Sequence, residues 1–206
     1  MPLNHVRPKG GDHFVFFQGF LRSPKQIASV IPSSRFLERR VARLAGLSAA
    51  RNVVELGPGT GGTTRALLAA MPPHGALLSI EINPDFITPL QAIEDRRLTV
   101  HHGSAEQLTD ILRQHAMGSA DAIVSGIPFS LLRPDGRRQV VEAIWSALAP
   151  GGRFVAYQLC GRIRTLARPL FGPAQVALEL RNFPPLRIYA WKKNDGVPQS
   201  SETVGF

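Results

Sequence analysis

At 206 residues the chain has room for one domain with a two-sided core. Hydrophobic residues at 44% against 19% charged exclude a disordered polymer. No run of about 18 apolar residues occurs, which excludes a bilayer-spanning helix. The 24 Lys and Arg exceed the 15 Asp and Glu, giving a formal net charge of +9. Such a field attracts polyanions, either nucleic acid or an anionic membrane surface, with a plain solubility role as the alternative. The lone Cys160 excludes an internal disulfide and a thiolate metal cluster, and no metal site is expected. It agrees with a reducing cytoplasm, and the N-terminus lacks the order of a signal peptide. Any contact with a membrane would therefore be peripheral, at the inner face of the cytoplasmic membrane.

Residues 1–12, rich in Pro, Gly and charge, read as a flexible arm. From His13 on, Phe14, Phe17 and Leu21 recur at three- and four-residue spacing, and Pro24 and Pro32 divide the segment into two short helical pieces. Residues 1–33 are thus expected to form an arm and an amphipathic segment, 34–193 the main domain and 194–206 a tail. Ser33 or Ser34 can cap a helix whose stripe of Phe36, Leu37, Val41, Leu44 and Ala45 ends at Gly46. The period then switches. Strands are predicted at Asn52–Leu56, Ala76–Ile82, Leu98–His101, Ala120–Ser125 and Arg153–Leu159. Helices are predicted between them at Thr63–Met71, from Asn83-Pro84 onward, at Ala105–His115 and at Pro134–Leu148. The tail adds strands at Gln175–Leu180 and Arg187–Trp191 with no space for a helix between them, hence a hairpin. Alternating strands and helices imply an α/β fold, a mostly parallel seven-stranded sheet with helices on both faces and a C-terminal antiparallel hairpin.

The segment Val53-Val54-Glu55-Leu56-Gly57-Pro58-Gly59-Thr60-Gly61-Gly62 carries the strongest chemical signal. Glycines at a strand-to-helix turn let a ligand approach the backbone. By spacing, Gly57, Gly59 and Gly62 satisfy the dinucleotide fingerprint, with Glu81 downstream. Against that reading, Glu55 would stand beside a pyrophosphate, whereas a carboxylate suits a sulfonium and an ammonium. The pattern Glu-x-Gly-x-Gly-x-Gly resembles motif I of the Rossmann-like class I methyltransferases, which implies S-adenosylmethionine as cofactor. Glu55, Gly57, Gly59, Thr60 and Gly61 then form its loop. Glu81 accepts the ribose hydroxyls, and Ile82 packs on the adenine. Ser104 and Ala105 stand where that family often places an Asp for the adenine amino group, so Ser104 is a departure.

After the fourth strand, Ser125-Gly126-Ile127-Pro128-Phe129 resembles the Asn-Leu-Pro-Tyr type loop of amino-group methyltransferases. The resemblance makes Ser125, Gly126, Pro128 and Phe129 the candidate catalytic loop, with Ser125 also near the cofactor. Gly126 replaces the family's Asn, so Ser125 or main-chain carbonyls must orient the acceptor. A tight loop shaped by Pro128 alone is the alternative. His101-His102 is read as structural.

Several segments form an ordered set: Phe20-Leu21-Arg22-Ser23-Pro24, Ile31-Pro32-Ser33-Ser34, Glu81-Ile82-Asn83-Pro84-Asp85-Phe86 and Asn182-Phe183-Pro184-Pro185-Leu186-Arg187. With motif I they resemble the bacterial phospholipid N-methyltransferases, which methylate phosphatidylethanolamine, and more distantly the ribosomal RNA adenine dimethyltransferases. The resemblance implies a phospholipid substrate, N-methylation of an amino headgroup and a membrane-associated enzyme. Basic, apolar stretches at 14–25 and 162–171 are the expected contacts with an anionic bilayer, unless they are helices packed on the sheet with solvated charges. RNA is the second partner weighed, although the extra helical domain of the RNA dimethyltransferases has no place after Phe154. A soluble amine as acceptor and a non-catalytic cofactor binder complete the alternatives.

Overall fold

The computed structural model describes residues 33–130, 132–182 and 184–194. The expected arm, the two helical pieces before Ser33, the 14–25 stretch and most of the 194–206 tail lie outside them. Helix α1 (Arg35–Ala45) opens where the Ser34 hydroxyl accepts from the Leu37 N–H, and it closes at Gly46 in the left-handed conformation. Strand β1 (Asn52–Leu56) runs into the glycine loop and α2 (Gly62–Ala70). Then follow β2 (Ala76–Glu81), a turn at Pro84–Phe86, the short α3 (Ile87–Gln91) and β3 (Leu98–His102). A turn at Ala105–Gln107 leads into α4 (Leu108–Gln114), β4 (Ala120–Ser125) and α5 (Pro134–Ala147). Strand β5 (Leu148–Gln158), α6 (Arg162–Phe171), β6 (Gln175–Glu179) and β7 (Leu186–Lys192) complete the described order.

The seven strands form one sheet in the order β3-β2-β1-β4-β5-β7-β6. The first five are parallel, and β7 enters antiparallel to both β5 and β6. Central strands β1 and β4 are buried along nearly their whole length, because helices cover both faces. On one face Leu37, Val41 and Ala45 of α1 and Leu67 and Leu68 of α2 pack on Val53, Leu77, Val124 and Val155. On the other, α4, α5 and α6 pack on Val54, Ile123, Phe154 and Trp191.

Two boundaries depart from expectation. Strand β5 begins at Leu148, directly after α5, because Leu148 already pairs with Ala120. The Pro150-Gly151-Gly152 segment is accommodated within the strand as a register shift before Arg153 pairs with Ala122. The helix expected after Asn83-Pro84 is reduced to a turn plus five residues of α3, since Asn83 accepts from the Asp85 N–H and favours a tight turn.

Candidate functional site

The site lies at the carboxyl ends of β1, β2 and β4, beside the crossover where the chain reverses from one side of the sheet to the other. The glycine loop leaves β1 with the Gly57 N–H donating to Ile80 O at 3.0 Å. The strand-four loop leaves β4 next to it, with the Gly126 N–H donating to Leu56 O at 2.9 Å. Main-chain bonds thus fix both loops against the same sheet edge.

Glu55 is fully buried. Its Oε2 accepts from Thr64 Oγ1 at 2.7 Å and from Ser79 Oγ at 2.8 Å, while Oε1 has no hydrogen-bond partner. Burial pushes its carboxyl up to about 7; the two hydroxyls oppose the rise and Glu81 adds to it. An acid in this state lacks a cation. Glu81, at the end of β2, accepts from the Asn83 N–H on Oε1 at 2.8 Å and from the Gly59 N–H on Oε2 at 3.0 Å. It is also raised by burial, with backbone donors opposing. Each of its oxygens keeps a further lone pair for a hydroxyl donor.

Gly59 has φ +56°, and a Cβ built there meets nothing within 4 Å. The backbone is therefore open to a ligand at the one loop position that Glu81 also reaches. An unpartnered buried acid, open glycine backbone and a second acid with spare acceptors fit the ammonium, the sulfonium and the ribose of S-adenosylmethionine.

Other predicted residues are placed less directly. Thr60 is exposed and Ile82 half-buried. The Ser104 hydroxyl accepts from the Glu106 N–H, capping the following turn, and the Ala105 side chain belongs to the core. The imidazole of His102 meets Ile82 O at 3.1 Å, and His101 pairs with His115 at 3.0 Å.

In the strand-four loop, Ser125 is fully buried and its hydroxyl accepts from the Ile127 N–H at 3.3 Å. Pro128 is half-buried. Phe129 corrects the expectation: its ring is fully buried in the core cluster that includes Val140, Phe154 and Ile163. It anchors the loop instead of presenting a face to an acceptor. Ile127 O accepts from Gln158 Nε2 at 2.6 Å, which takes up one carbonyl expected to be free.

The absent Asn at position 126 has a physical cause. A methyl group there would sit 2.5 Å from the Tyr157 hydroxyl and 3.0 Å from Gly57 O. Tyr157, from β5, fills that space and hydrogen-bonds Thr63 Oγ1 at 3.2 Å, which in turn donates to Ser33 Oγ. Burial and nearby Glu55 push the phenol far above its usual range, so it stays neutral. Sequence reading missed Tyr157, Ser79 and Gln158 on strands and Thr63 and Thr64 on α2, because nothing local in such a residue tells which loop or side chain it reaches.

Helix α6 also corrects an expectation. Ile163, Ala167 and Phe171 are buried on the sheet, and only Arg162, Arg164 and Arg168 with Thr165 and Pro169 are exposed. Ile163 and Phe171 are core and Leu166 and Leu170 are half-buried against it, so the apolar stripe of this helix faces the sheet.

Comparison with known proteins gives the same class. A family model described as a methyltransferase domain matches residues 54–154. The ornithine lipid N-methyltransferase of Singulisphaera acidiphila is 32% identical over 181 residues, covering 86% of this chain and 94% of that protein. The ribosomal RNA small subunit methyltransferase A of Nitrobacter winogradskyi is 38% identical over 99 residues, and the match covers 46% of this chain and 33% of that relative. Among solved structures, the Burkholderia thailandensis 1,6-didemethyltoxoflavin-N1-methyltransferase shares 16% identity at a TM-score of 0.66, over 94% of each chain. NodS of Bradyrhizobium japonicum WM9, in complex with S-adenosylhomocysteine, has a TM-score of 0.63 at 16% identity, covering 87% of this chain and 97% of its own. These two likenesses show the fold.

The class defined is that of the S-adenosylmethionine-dependent methyltransferases, with the Rossmann-like class I fold. Within it, the chain belongs to the family that contains the ornithine lipid N-methyltransferase of S. acidiphila.

Proposed function

We propose that the enzyme N-methylates the primary amino group of a membrane-lipid headgroup, with phosphatidylethanolamine and ornithine lipid as the two acceptors of that chemistry. The observation that carries this reading is the match to a lipid N-methyltransferase along 94% of that protein, against a third of the ribosomal RNA relative. When bound, the cofactor supplies an electrophilic methyl carbon. In the proposed site Glu55 and the Gly57–Gly61 backbone hold its amino-acid part, Glu81 its ribose, and Ile82 with Ser104 and Ala105 flank its base. The loop residues Ser125–Pro128 with the Tyr157 hydroxyl border the acceptor, and Phe129 anchors that loop in the core.

The amine must arrive uncharged, since its lone pair forms the new C–N bond while the S–C bond breaks and that electron pair stays on sulfur. The methylated ammonium then loses its proton to water or buffer. The site's part in this step is to align the neutral amine with the methyl carbon. No imidazole or free carboxylate among the described residues borders the Ser125–Phe129 loop in a hydrogen bond.

The test is transfer of label from methyl-labelled S-adenosylmethionine to vesicles containing each aminolipid, with ribosomal RNA as a parallel acceptor. Labelled lipid amine is the expected product. Label in RNA alone, or no labelled lipid at protein concentrations that bind cofactor, overturns the proposal. The net charge of +9 and the ribosomal RNA relatives make RNA the second reading.

A further inference from the structure

All the exposed large apolar side chains among the described residues lie along one margin of the sheet. They are Leu159 just past β5, Val176 and Leu178 on β6, and Leu180 just beyond it, which is 69% exposed. The register explains why they are left open. Val176 pairs with Tyr189, so both point to the same face, yet Tyr189 and Trp191 are buried beneath Ile163, Ala167 and Phe171 of α6. Helix α6 covers β7 and stops short of β6. On the opposite face of β6, Ala177 packs against the second core and Glu179 is buried beside Arg40, while the polar Gln175 is exposed.

The same margin is strongly basic. From Leu159 to Arg187 the chain has five Arg and a single acid, Glu179. That acid is 3.3 Å from Arg40 and 3.1 Å from Arg181, so it offers nothing to a cationic partner. Arg162, Arg164 and Arg187 are exposed, and the Arg187 guanidinium donates to Leu159 O at 3.1 Å, which puts a cation at the apolar corner itself. The corner also adjoins the site, because Gln158, next to Leu159, holds the strand-four loop through Ile127 O.

We propose that the β6 margin, Leu159, Val176, Leu178 and Leu180 with Arg162, Arg164 and Arg187, is a docking surface for an anionic lipid bilayer. Apolar side chains amid unpaired-sign cations suit an interface of acyl chains and acidic headgroups. RNA offers no apolar phase for four aliphatic side chains, and a second copy of this strand would bring like charges together. The inference rests on the aminolipid reading and deepens it: the face that meets the bilayer is the one beside the acceptor loop.

The experiment is flotation of the full chain with vesicles of phosphatidylcholine alone or mixed with phosphatidylglycerol. The wild type is expected to float with the mixed vesicles only. Leu178→Ser with Leu180→Ser is expected to lower the bound fraction about tenfold by removing two apolar contacts. Activity on a short-chain phosphatidylethanolamine, kept monomeric in solution, is expected to stay unchanged. Undiminished flotation of that variant overturns the surface, as does a wild type that binds RNA but floats with neither vesicle, or one that light scattering shows as a dimer which the two substitutions dissociate. Should the double variant fold poorly, a Cys160→Ser, Leu180→Cys protein carrying an environment-sensitive dye gives the answer: fluorescence rises on mixed vesicles if the proposal holds and stays flat if it does not. Vesicle binding without methylation of any lipid would sink the aminolipid reading and leave the surface standing; methylation with binding unaffected by the substitutions would do the reverse.

Discussion

Single atoms decide the chemistry here. Glu55 has one satisfied oxygen and one without a partner, in a site that holds its carboxyl up to about 7. In the proposed site the cofactor's ammonium would favour the ionised form, so its binding would expel the proton that the free enzyme still carries below about 7. Affinity for S-adenosylhomocysteine is therefore expected to be full above that pH and to weaken as pH falls through it. Calorimetry in buffers of different ionisation enthalpy should show net proton release near neutrality, and Glu55→Gln should abolish it. The raised value also works against folding: below about 7 the native state holds a proton that the unfolded chain gives up near its ordinary value. This contribution to stability consequently falls as pH rises from that ordinary value to about 7.

Gly59 and Gly126 fail differently on substitution. At Gly59 the space is open but φ is +56°, so Gly59→Val strains the backbone by at least about 1–2 kcal/mol and fills the ligand's side of the loop. Titration calorimetry should show at least about a tenfold loss of cofactor affinity; normal affinity would refute the loop assignment. At Gly126 the obstacle is Tyr157, so Gly126→Ala must displace the hydroxyl and break its bond to Thr63, at about 1–3 kcal/mol. Removing that hydroxyl leaves the ring carbon at 3.0 Å. The double variant with Tyr157→Phe should thus be less destabilised than the sum of the singles, a coupling visible in urea denaturation.

Elements were readable where periodicity is strong and less so where pairing decides. The alternation of apolar runs with three- and four-residue stripes gave all seven strands and the order of helices, and Ser34 and Gly46 marked both ends of α1. The extension of β5 back to Leu148 was hidden, since only its pairing with Ala120 makes it a strand. The Asn182 segment was flagged by resemblance, without a physical reason. The structure supplies one: Asn182 is buried, accepts from the Ser34 N–H at 2.8 Å and donates to Pro184 O at 2.9 Å. One side chain thus ties the β6–β7 turn to the start of α1, beside Arg181 stacked on Phe36 at 4.1 Å. Asn182→Ala removes the acceptor of the half-buried Ser34 N–H and the donor to Pro184 O, and should cost about 0.5–1.5 kcal/mol, read as a lower thermal midpoint. An unchanged midpoint would show that the turn holds without it.

At the scale of the molecule, charge placement separates two uses of the same cations. The sequence reported the excess of +9 but not its distribution, and the amphipathic pattern of 162–171 suggested a lipid-facing helix that turns out to bury its apolar stripe. The exposed apolar groups lie instead on β6 and just past β5, where the pattern predicts strands but not which side of them the helices leave uncovered. If the basic margin serves only to bring the enzyme to an anionic bilayer, salt should act on association and leave the bond-forming step alone. The Debye length shrinks from about 10 Å at 0.1 M to about 3 Å at 1 M salt, which screens exposed arginines but not buried Glu55 or Glu81. The apparent KM for aminolipid in phosphatidylglycerol vesicles is therefore expected to rise several-fold over that range. Over the same range kcat, and the rate on a monomeric short-chain aminolipid, should remain nearly constant. A parallel fall of both rates would instead place the salt-sensitive cations at the reaction site itself.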